Sequence, residues 1–288
     1  MKYAAIEGMR ELYPLQMLCD ELSVSKSGYS EWKGRLPSKG AAANSALVSE
    51  IRVIHAQSFG AYGSPRVHET LKQRGRIIGL ERIRRLMQDN SIIGRHRKKR
   101  CHTTDSNHDL PIAPNRLRQH FECALPDSIW LADITYVTTD EGFLYVAAMK
   151  DLCTKKIVGW SMSASIDAQL VVDALKMAMS RQAPVAGLVV HSDRGSQYAS
   201  GLFRQQLKEL HMLQSMSRRG NCYDNAPMES FFASLKTERL EQEHFATRDA
   251  ARAATFEYIE TFYNPVRLHS SIGYRAPNQF ESMLRAAG

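Results

Sequence analysis

The sequence predicts an α/β protein in which a mixed sheet flanked by helices follows a small all-α region. Three observations lead to this fold class. Between residues 130 and 162, short runs of β-forming residues alternate with turn residues. Beyond residue 168, apolar strand-like runs alternate with segments of helical periodicity. Before residue 100, three segments carry apolar residues at helical spacing.

Length and composition agree with a folded protein of roughly two domains. The chain has 288 residues, of which 43% are hydrophobic, and a net charge of +8. Such values exclude a wholly disordered or fibrous protein. The longest apolar runs, residues 143–149 and 185–190, are far shorter than the roughly 20 residues of a membrane helix. The N-terminal residues do not resemble a signal peptide, so we expect no membrane partner.

The five cysteines are scattered and form no Cys-x-x-Cys pair, which argues against a disulfide framework and favours the reducing cytoplasm. His96, Cys101 and His102 match no standard zinc spacing.

Residues 1–40 are predicted to form a helical segment, with Ser23 and Ser25 as candidate caps and a break at residues 36–38. Residues 44–100 are predicted to form three helices. The second starts at Ser64-Pro65, and the third starts near Leu80. Apolar positions of the third helix are expected to face inward, and they are Leu80, Ile83, Leu86 and Met87. This arrangement is compatible with a helix-turn-helix, although an ordinary helical bundle fits the pattern as well.

Most of the positive charge lies between residues 72 and 100, where the net charge is +9. A charge excess confined to one stretch is typical of contact with a phosphate backbone. The predicted DNA-binding residues here are Arg82, Arg85, Arg95, Arg97, Lys98, Lys99 and Arg100. A solvated basic face without a partner remains the alternative.

Residues 101–122 contain two prolines and little apolar periodicity, so we predict a linker there. The second domain is then predicted over residues 123–288. Its strands are expected at 130–137, 143–149, 156–162, 188–191 and 213–216, and its helices at 168–181, 200–210 and from 226 onward.

Three carboxylates stand out in this domain. Asp133 lies inside a strand, where a buried carboxylate is costly without a partner. Asp193 follows an apolar run, so it would stand at the carboxyl end of a strand, where α/β sheets place their ligands. Asp224 and Asn225 indicate the start of a helix, and Glu229 is expected in the first turn of that helix. Taken singly, Asp193 is also compatible with a turn and Glu229 with the helix dipole.

Together these acids could bind hard divalent cations, which prefer oxygen ligands. Two such ions support in-line phosphoryl displacement. Lys236 lies seven residues after Glu229, two helical turns along the same face, where it could hold a phosphate. We find no Walker loop, G-x-S-x-G or H-E-x-x-H pattern that would suggest other chemistry.

At these residues the sequence closely resembles the OrfB-type transposases of bacterial insertion sequences, an insertion-sequence-3-like family in the retroviral-integrase superfamily of DDE enzymes. The matching blocks are W-x-x-D-I-T-Y at 130–136, H-S-D-x-G-x-Q-Y at 191–198 and the block at 215–232. Between Asp193 and Glu229 lie 35 residues, the spacing of the D,D(35)E pattern. The stretch YGSPRVHETL with RIRRLM resembles the family's helix-turn-helix region, and residues 263–277 resemble its C-terminal signature.

The resemblance implies an RNase H-like integrase catalytic core with a C-terminal helical extension. It further implies two ions, Mg²⁺ or Mn²⁺, held by Asp133, Asp193 and Glu229, with Lys236 near the DNA end. In this family the active protein is commonly a frameshift fusion, so an upstream-frame product is a candidate partner or fusion. For the terminal motif with Tyr263, Asn264, Arg267 and His269, DNA contact and a polar surface loop remain alternatives.

The sequence therefore predicts a transposase that binds insertion-sequence ends and target DNA. We expect the transposase to act as a homo-oligomer on DNA. It is expected to free a 3′-hydroxyl by cleavage and join it to a target phosphodiester. A nuclease without joining activity and a non-enzymatic helix-turn-helix regulator are the alternatives.

Overall fold

The computed structural model describes residues 2–36, 38–95, 110–182, 184, 186–218 and 222–287. The chain forms two compact units, Met1–Ile51 and Arg52–Gly288. None of the described helices combines the length and apolar content needed to cross a membrane.

The first unit contains short helices around a small core. Its helices are α1 (Lys2–Met9), α2 (Leu15–Glu21), α3 (Lys26–Gly34) and most of α4 (Lys39–Gln57). Ser25 is the N-cap of α3, because its Oγ accepts a hydrogen bond from Gly28 N at 3.0 Å. Ser23, the other predicted cap, instead has a positive φ in the turn before α3. Ile6, Cys19 and Tyr29 fill the core of this unit.

The second unit opens with the end of α4, α5 (Ser64–Gln73) and α6 (Leu80–Asp89). On α6, Ile83, Leu86 and Met87 are buried as predicted. Leu80 was predicted to face inward but is 42% exposed. Leu80 is the first residue of the helix. A helical side chain packs over the turn that precedes its own Cα, and no helical turn precedes Leu80.

A five-stranded mixed sheet forms the centre of the second unit. Its strands are β1 (Ile129–Thr139), β2 (Gly142–Asp151), β3 (Ile157–Ser163), β4 (Val189–Ser192) and β5 (Leu213–Met216). The spatial order is β3-β2-β1-β4-β5. The first three strands form the predicted antiparallel meander, and β4 and β5 run parallel to β1.

Helices cover both faces of the sheet. On one face lie α7 (Ala168–Gln182), α8 (Ser196–Ala199) and α9 (Gly201–Glu209), which share the main apolar core with Trp130. Gly159 allows α7 to approach β3 closely, since a Cβ there would lie 2.3 Å from Ala174 O. The helix predicted at 200–210 is confirmed as α9, which starts at Gly201 because extended Ser200 caps it by accepting from Phe203 N. The short α8 before it was not predicted.

Elements that follow β5 in the chain form the second helical layer. They are α10 (Ala226–Glu238), α11 (Arg248–Phe256), a π-helical segment (Glu257–Tyr263) and α12 (Pro277–Ala287). Helix α10 packs against β1, and α11 packs against β1 and β2. The fold therefore places the start of α10 beside the strand that carries Asp133.

Candidate active site

Asp133 and Asp193 lie at the same edge of the sheet because of the register between β1 and β4. These strands are parallel, and Ala132 pairs with Ser192, so each aspartate is the next residue on its strand. Asp133 Oδ1 accepts a hydrogen bond from Ile134 N at 2.8 Å. Asp193 Oδ1 accepts one from Gly195 N at 2.9 Å. Parallel pairing therefore brings together two acids that are 60 positions apart in the chain.

The surroundings of Asp133 disfavour its ionised form. Burial raises the pKa of its carboxyl well above the usual range, and the negative charges of Asp193 and Glu229 raise it further. The Ile134 hydrogen bond and the positive charge of Lys236 oppose this shift. The predicted acids and Lys236 therefore act electrostatically on one another at this sheet edge.

Glu229 lies in the first turn of α10, and Asn225 connects the start of that helix to β1. Asn225 Nδ2 donates to Ala132 O at 3.1 Å, directly beside Asp133. At the same helix start, the buried amine of Lys150 donates to Pro227 O at 3.0 Å. Two side-chain contacts thus fix the turn that carries Glu229.

Asn225 has one buried polar atom for which the described residues provide no partner. Asn225 is the N-cap residue of α10, yet its side chain makes no capping hydrogen bond. Its Oδ1 is buried and has no hydrogen-bond partner in the described structure. Because Nδ2 must face the Ala132 carbonyl, Oδ1 is the atom left to accept from a further group.

This set of oxygens fits a hard divalent cation. Three carboxylates that repel one another gain from a positive charge between them, and an amide oxygen is a suitable additional ligand. In the described part of the chain, no three His, Cys, Asp or Glu side chains are already arranged to hold a metal ion. The three acids are therefore electrostatic neighbours that do not themselves form a three-carboxylate metal cluster in this structure.

Lys236 is partly buried on α10, and its Nζ lies 4.9 Å from the centroid of the Tyr136 ring. It is placed between the acids, whose charge it influences, and an aromatic side chain at the end of β1.

A buried carboxylate, Asp224, organises the loop before α10. It accepts hydrogen bonds from Asn115 Nδ2 and Gln119 Nε2, each at 2.9 Å, and from the backbone and guanidinium of Arg218. The Arg218 hydrogen bonds hold the pKa of Asp224 far below its usual value. Burial lowers the pKa of His191 to about 4, and its neutral ring bonds Ser215 Oγ and Asp224 O. This network therefore holds Asp224 in place, five residues before Glu229.

The C-terminal motif is buried. Tyr263, Asn264 and Arg267 are 1%, 3% and 4% exposed, so the surface-loop alternative was wrong. Asn264 bonds both the N–H and the carbonyl of Ile157, each at 2.9 Å. Arg267 pairs with Glu238, the last residue of α10. The motif therefore anchors the far end of the helix that begins near Glu229.

Comparison with known proteins agrees with this architecture. Two matches to Integrase core domain models cover residues 124–222 and 229–284, and an HTH-like domain model matches residues 42–100. The transposase InsF for insertion sequence IS3A of Escherichia coli (strain K12) is 37% identical over 98% of this chain and 99% of its own. The chain belongs to the IS3 family of insertion-sequence transposases.

Other similar proteins include the insertion element IS600 uncharacterized 31 kDa protein of Shigella sonnei, which is 43% identical over 91% of this chain and 97% of its own. Among solved structures, a simian T-cell lymphotropic virus intasome in complex with PP2A regulatory subunit B56 gamma aligns with a TM-score of 0.47 and 16% identity, covering 74% of this chain and 69% of that one. The HTLV-2 integrase catalytic core domain in complex with magnesium aligns with a TM-score of 0.44 and 15% identity, covering 56% and 99%.

This IS3-family protein is thus a DDE transposase with an integrase core and an HTH-like domain, which confirms the predicted family and fold class. On its HTH-like domain, Arg82 and Arg85 are exposed on α6, opposite the buried side. Arg95 instead donates from Nη1 to Glu238 O at 2.8 Å. Arg97, Lys98, Lys99 and Arg100 lie outside the described residues, as does the zinc-like group at 96–102.

Sequence reasoning about this IS3 transposase missed three residues around the acids, namely Lys150, Asp224 and Asn225. Asp224 and Asn225 were interpreted only as helix-start residues. Of the three, Lys150 was the easiest to find from the sequence, because a charged lysine directly follows the apolar run of a central strand.

Proposed function

We propose that this transposase binds the ends of its insertion sequence, cleaves to free a 3′-hydroxyl and joins that hydroxyl to target DNA. The observation that carries the proposal is the pairing of Ala132 with Ser192, which sets Asp133 beside Asp193. The Asn225 contact to the same strand supports placing Glu229 with them.

In this proposal Asp133, Asp193 and Glu229 hold two Mg²⁺ or Mn²⁺ ions, and Asn225 Oδ1 adds a neutral oxygen. The ions would activate the attacking hydroxyl and stabilise the leaving oxygen of an in-line displacement. The acids contribute charge and orientation rather than a nucleophile. Burial and the neighbouring acids raise the pKa of Asp133, and a bound cation would lower it and so favour the charged form that ligates the ion.

Lys236 would hold a phosphate close to the scissile bond. It lies seven residues beyond Glu229, which corresponds to about 10 Å along a helix axis and is too far for a shared metal ligand. Its ammonium acts on Asp133 electrostatically, so the lysine and the acids would contact the same DNA end.

We further propose that residues 44–100 bind duplex DNA outside the chemical site, with Arg82 and Arg85 on the exposed face of α6. Residues 101–122 would link this region to the catalytic core of residues 123–288. Arg95, Arg97, Lys98, Lys99 and Arg100 would add further phosphate contacts. A homo-oligomer on DNA and an upstream-frame product as partner or fusion complete the proposal.

A strand-transfer assay with pre-nicked insertion-sequence ends tests the reaction. The expected result is joined product in Mg²⁺ or Mn²⁺, with none in EDTA. Cleavage of intact ends without any joining would support the nuclease alternative. Loss of joining in Asp193→Asn, with unchanged end binding, would tie the chemistry to the acid site.

A further inference from the structure

A group of three aromatic side chains lies close to the acid site but on the other face of the sheet from Asp133. Side chains alternate along a strand, so Tyr136 faces away from Asp133. Tyr136 pairs with Tyr145 across β1 and β2, and Thr138 pairs with Phe143. Tyr136, Phe143 and Tyr145 therefore share one face, and we call these three residues the aromatic platform.

The platform's rings are close together and two of them are open to solvent. The centroids of Tyr136 and Phe143 are 4.8 Å apart, and those of Phe143 and Tyr145 are 6.2 Å apart. Tyr136 is 45% and Phe143 is 46% exposed. Tyr145 is partly buried and packs against the main core, which supports the other two rings from below. Large exposed rings grouped in this way indicate a binding surface rather than core packing.

The platform adjoins the proposed DNA contact. Lys236 Nζ lies 4.9 Å from the Tyr136 ring centroid, and both residues line an open pocket of about 390 Å³. The pairing of β1 with β4 ends at Ala132, so β4 does not flank β1 from Asp133 onward. The edge of β1 between Asp133 and the rings is therefore not covered by β4.

The chemistry of this surface matches a nucleotide with an unpaired base. An ammonium attracts the phosphate, and aromatic faces stack on the base without requiring a sequence. Three carboxylates line this pocket, and each has a partner. Asp140 Oδ2 bonds His244 Nε2 at 3.1 Å, and Glu243 Oε1 pairs with Arg239 Nη1 at 2.5 Å. Glu241 also has a partner. They therefore add less repulsion toward a phosphate than unpaired carboxylates would.

We propose that the aromatic platform stacks an unpaired nucleobase at the DNA end whose phosphate Lys236 holds. The proposal rests on the proposed function for the position of the DNA end and adds a platform for the unpaired base. It predicts that single-stranded or frayed ends bind better than fully paired ones at this site.

The test uses the full chain and a fluorescein-labelled single-stranded (dT)20, measured by anisotropy at high salt. High salt suppresses the phosphate contacts of the basic region and leaves stacking as the larger contribution. Tyr136→Leu and Phe143→Leu keep apolar bulk but remove the flat rings, and each should weaken binding about tenfold. Tyr136→Phe and Phe143→Tyr should retain near-normal binding.

Phe256→Leu is the matched control, because Phe256 is 48% exposed and contacts the Trp160 ring edge to face elsewhere in the unit. It should leave (dT)20 binding unchanged. Photo-crosslinking with a 5-iododeoxyuridine strand should label Tyr136 or Phe143. Wild-type affinity in both leucine variants, with normal thermal melting and crosslinks elsewhere, would overturn the platform, and a partner protein would then be the other candidate for this face.

The outcomes separate the platform from the reaction. If Lys236→Ala weakens (dT)20 binding and the leucine variants do not, the DNA path is correct and the platform is wrong. If Asp193→Asn still joins DNA ends, the proposed active site fails whatever the platform binds.

Discussion

Arg267 and Glu238 form a two-point ion pair in the protein interior, with Nη2–Oε1 at 2.5 Å and Nε–Oε2 at 2.7 Å. Their side chains are 5% and 8% exposed. Tyr258 Oη donates to the same carboxylate at 2.7 Å. Because Glu238 ends the helix that carries Glu229 and Lys236, this pair holds the C-terminal end of α10.

Arg267→Ala should destabilise the protein by about 3–5 kcal/mol, because it leaves the buried Glu238 carboxylate without its cation. Urea unfolding followed by circular dichroism measures this loss. Arg252→Ala removes an exposed pair with Asp249 and serves as the control, with an expected change within about 0.5 kcal/mol. Equal stability of the two variants would contradict the anchoring role.

Asp133→Asn, Asp193→Asn and Glu229→Gln should each abolish cleavage and joining while preserving the fold and DNA binding. Each change removes a ligand charge from the proposed cation site. An independent readout is thermal melting with Mn²⁺: the ion should raise the wild-type Tm and have little effect on Asp193→Asn. Near-normal joining by any of the three variants would remove that residue from the site.

Lys150 should make stability depend on pH in the alkaline range. Burial lowers the pKa of its amine to about 7 in the folded protein, against roughly 10.4 in an unfolded chain. Between these values the unfolded state binds more protons, so stability should rise as pH increases from about 7 toward about 10. Lys150→Met should flatten this rise in urea unfolding at pH 7 and 9, whereas exposed Lys176→Met should not.

Lys236→Ala should weaken binding of the DNA end and slow both cleavage and joining. Lys236→Arg should keep much of the activity, because a phosphate contact depends more on charge than on shape. End cleavage at matched protein concentration compares the two variants, with the exposed Lys208→Ala as control. If both Lys236 variants matched the wild type, the lysine would have no part in binding the end.

Arg82→Ala combined with Arg85→Ala should reduce duplex binding at low salt. Each phosphate contact contributes about 0.9 to the slope of log K against log salt, so the double variant should lower that slope by about 2. Fluorescence anisotropy over a salt series measures it in the full chain. An unchanged slope would mean that this face of α6 is solvated and does not contact phosphates.

Local patterns were sufficient to predict the sheet and the positions of the acids on it. Strand alternation predicted the meander, and the apolar run before Asp193 predicted β4. The contacts that hold the site together are long-range and leave no periodic signal. Asn264 pairs with Ile157 across 107 positions, and Arg267 with Glu238 across 29. The unused Oδ1 of Asn225 could be recognised only once its Nδ2 was seen to contact Ala132.

The Arg267–Glu238 pair also determines when α10 can be held in its final position during synthesis. Helix α10 emerges from the ribosome before Tyr258 and Arg267, whose side chains bond its last residue, and before Asn264, which bonds β3. A polypeptide that stops short of residue 267 lacks the contact from Arg267. The helix that carries Glu229 is therefore held at both ends only when translation is nearly finished.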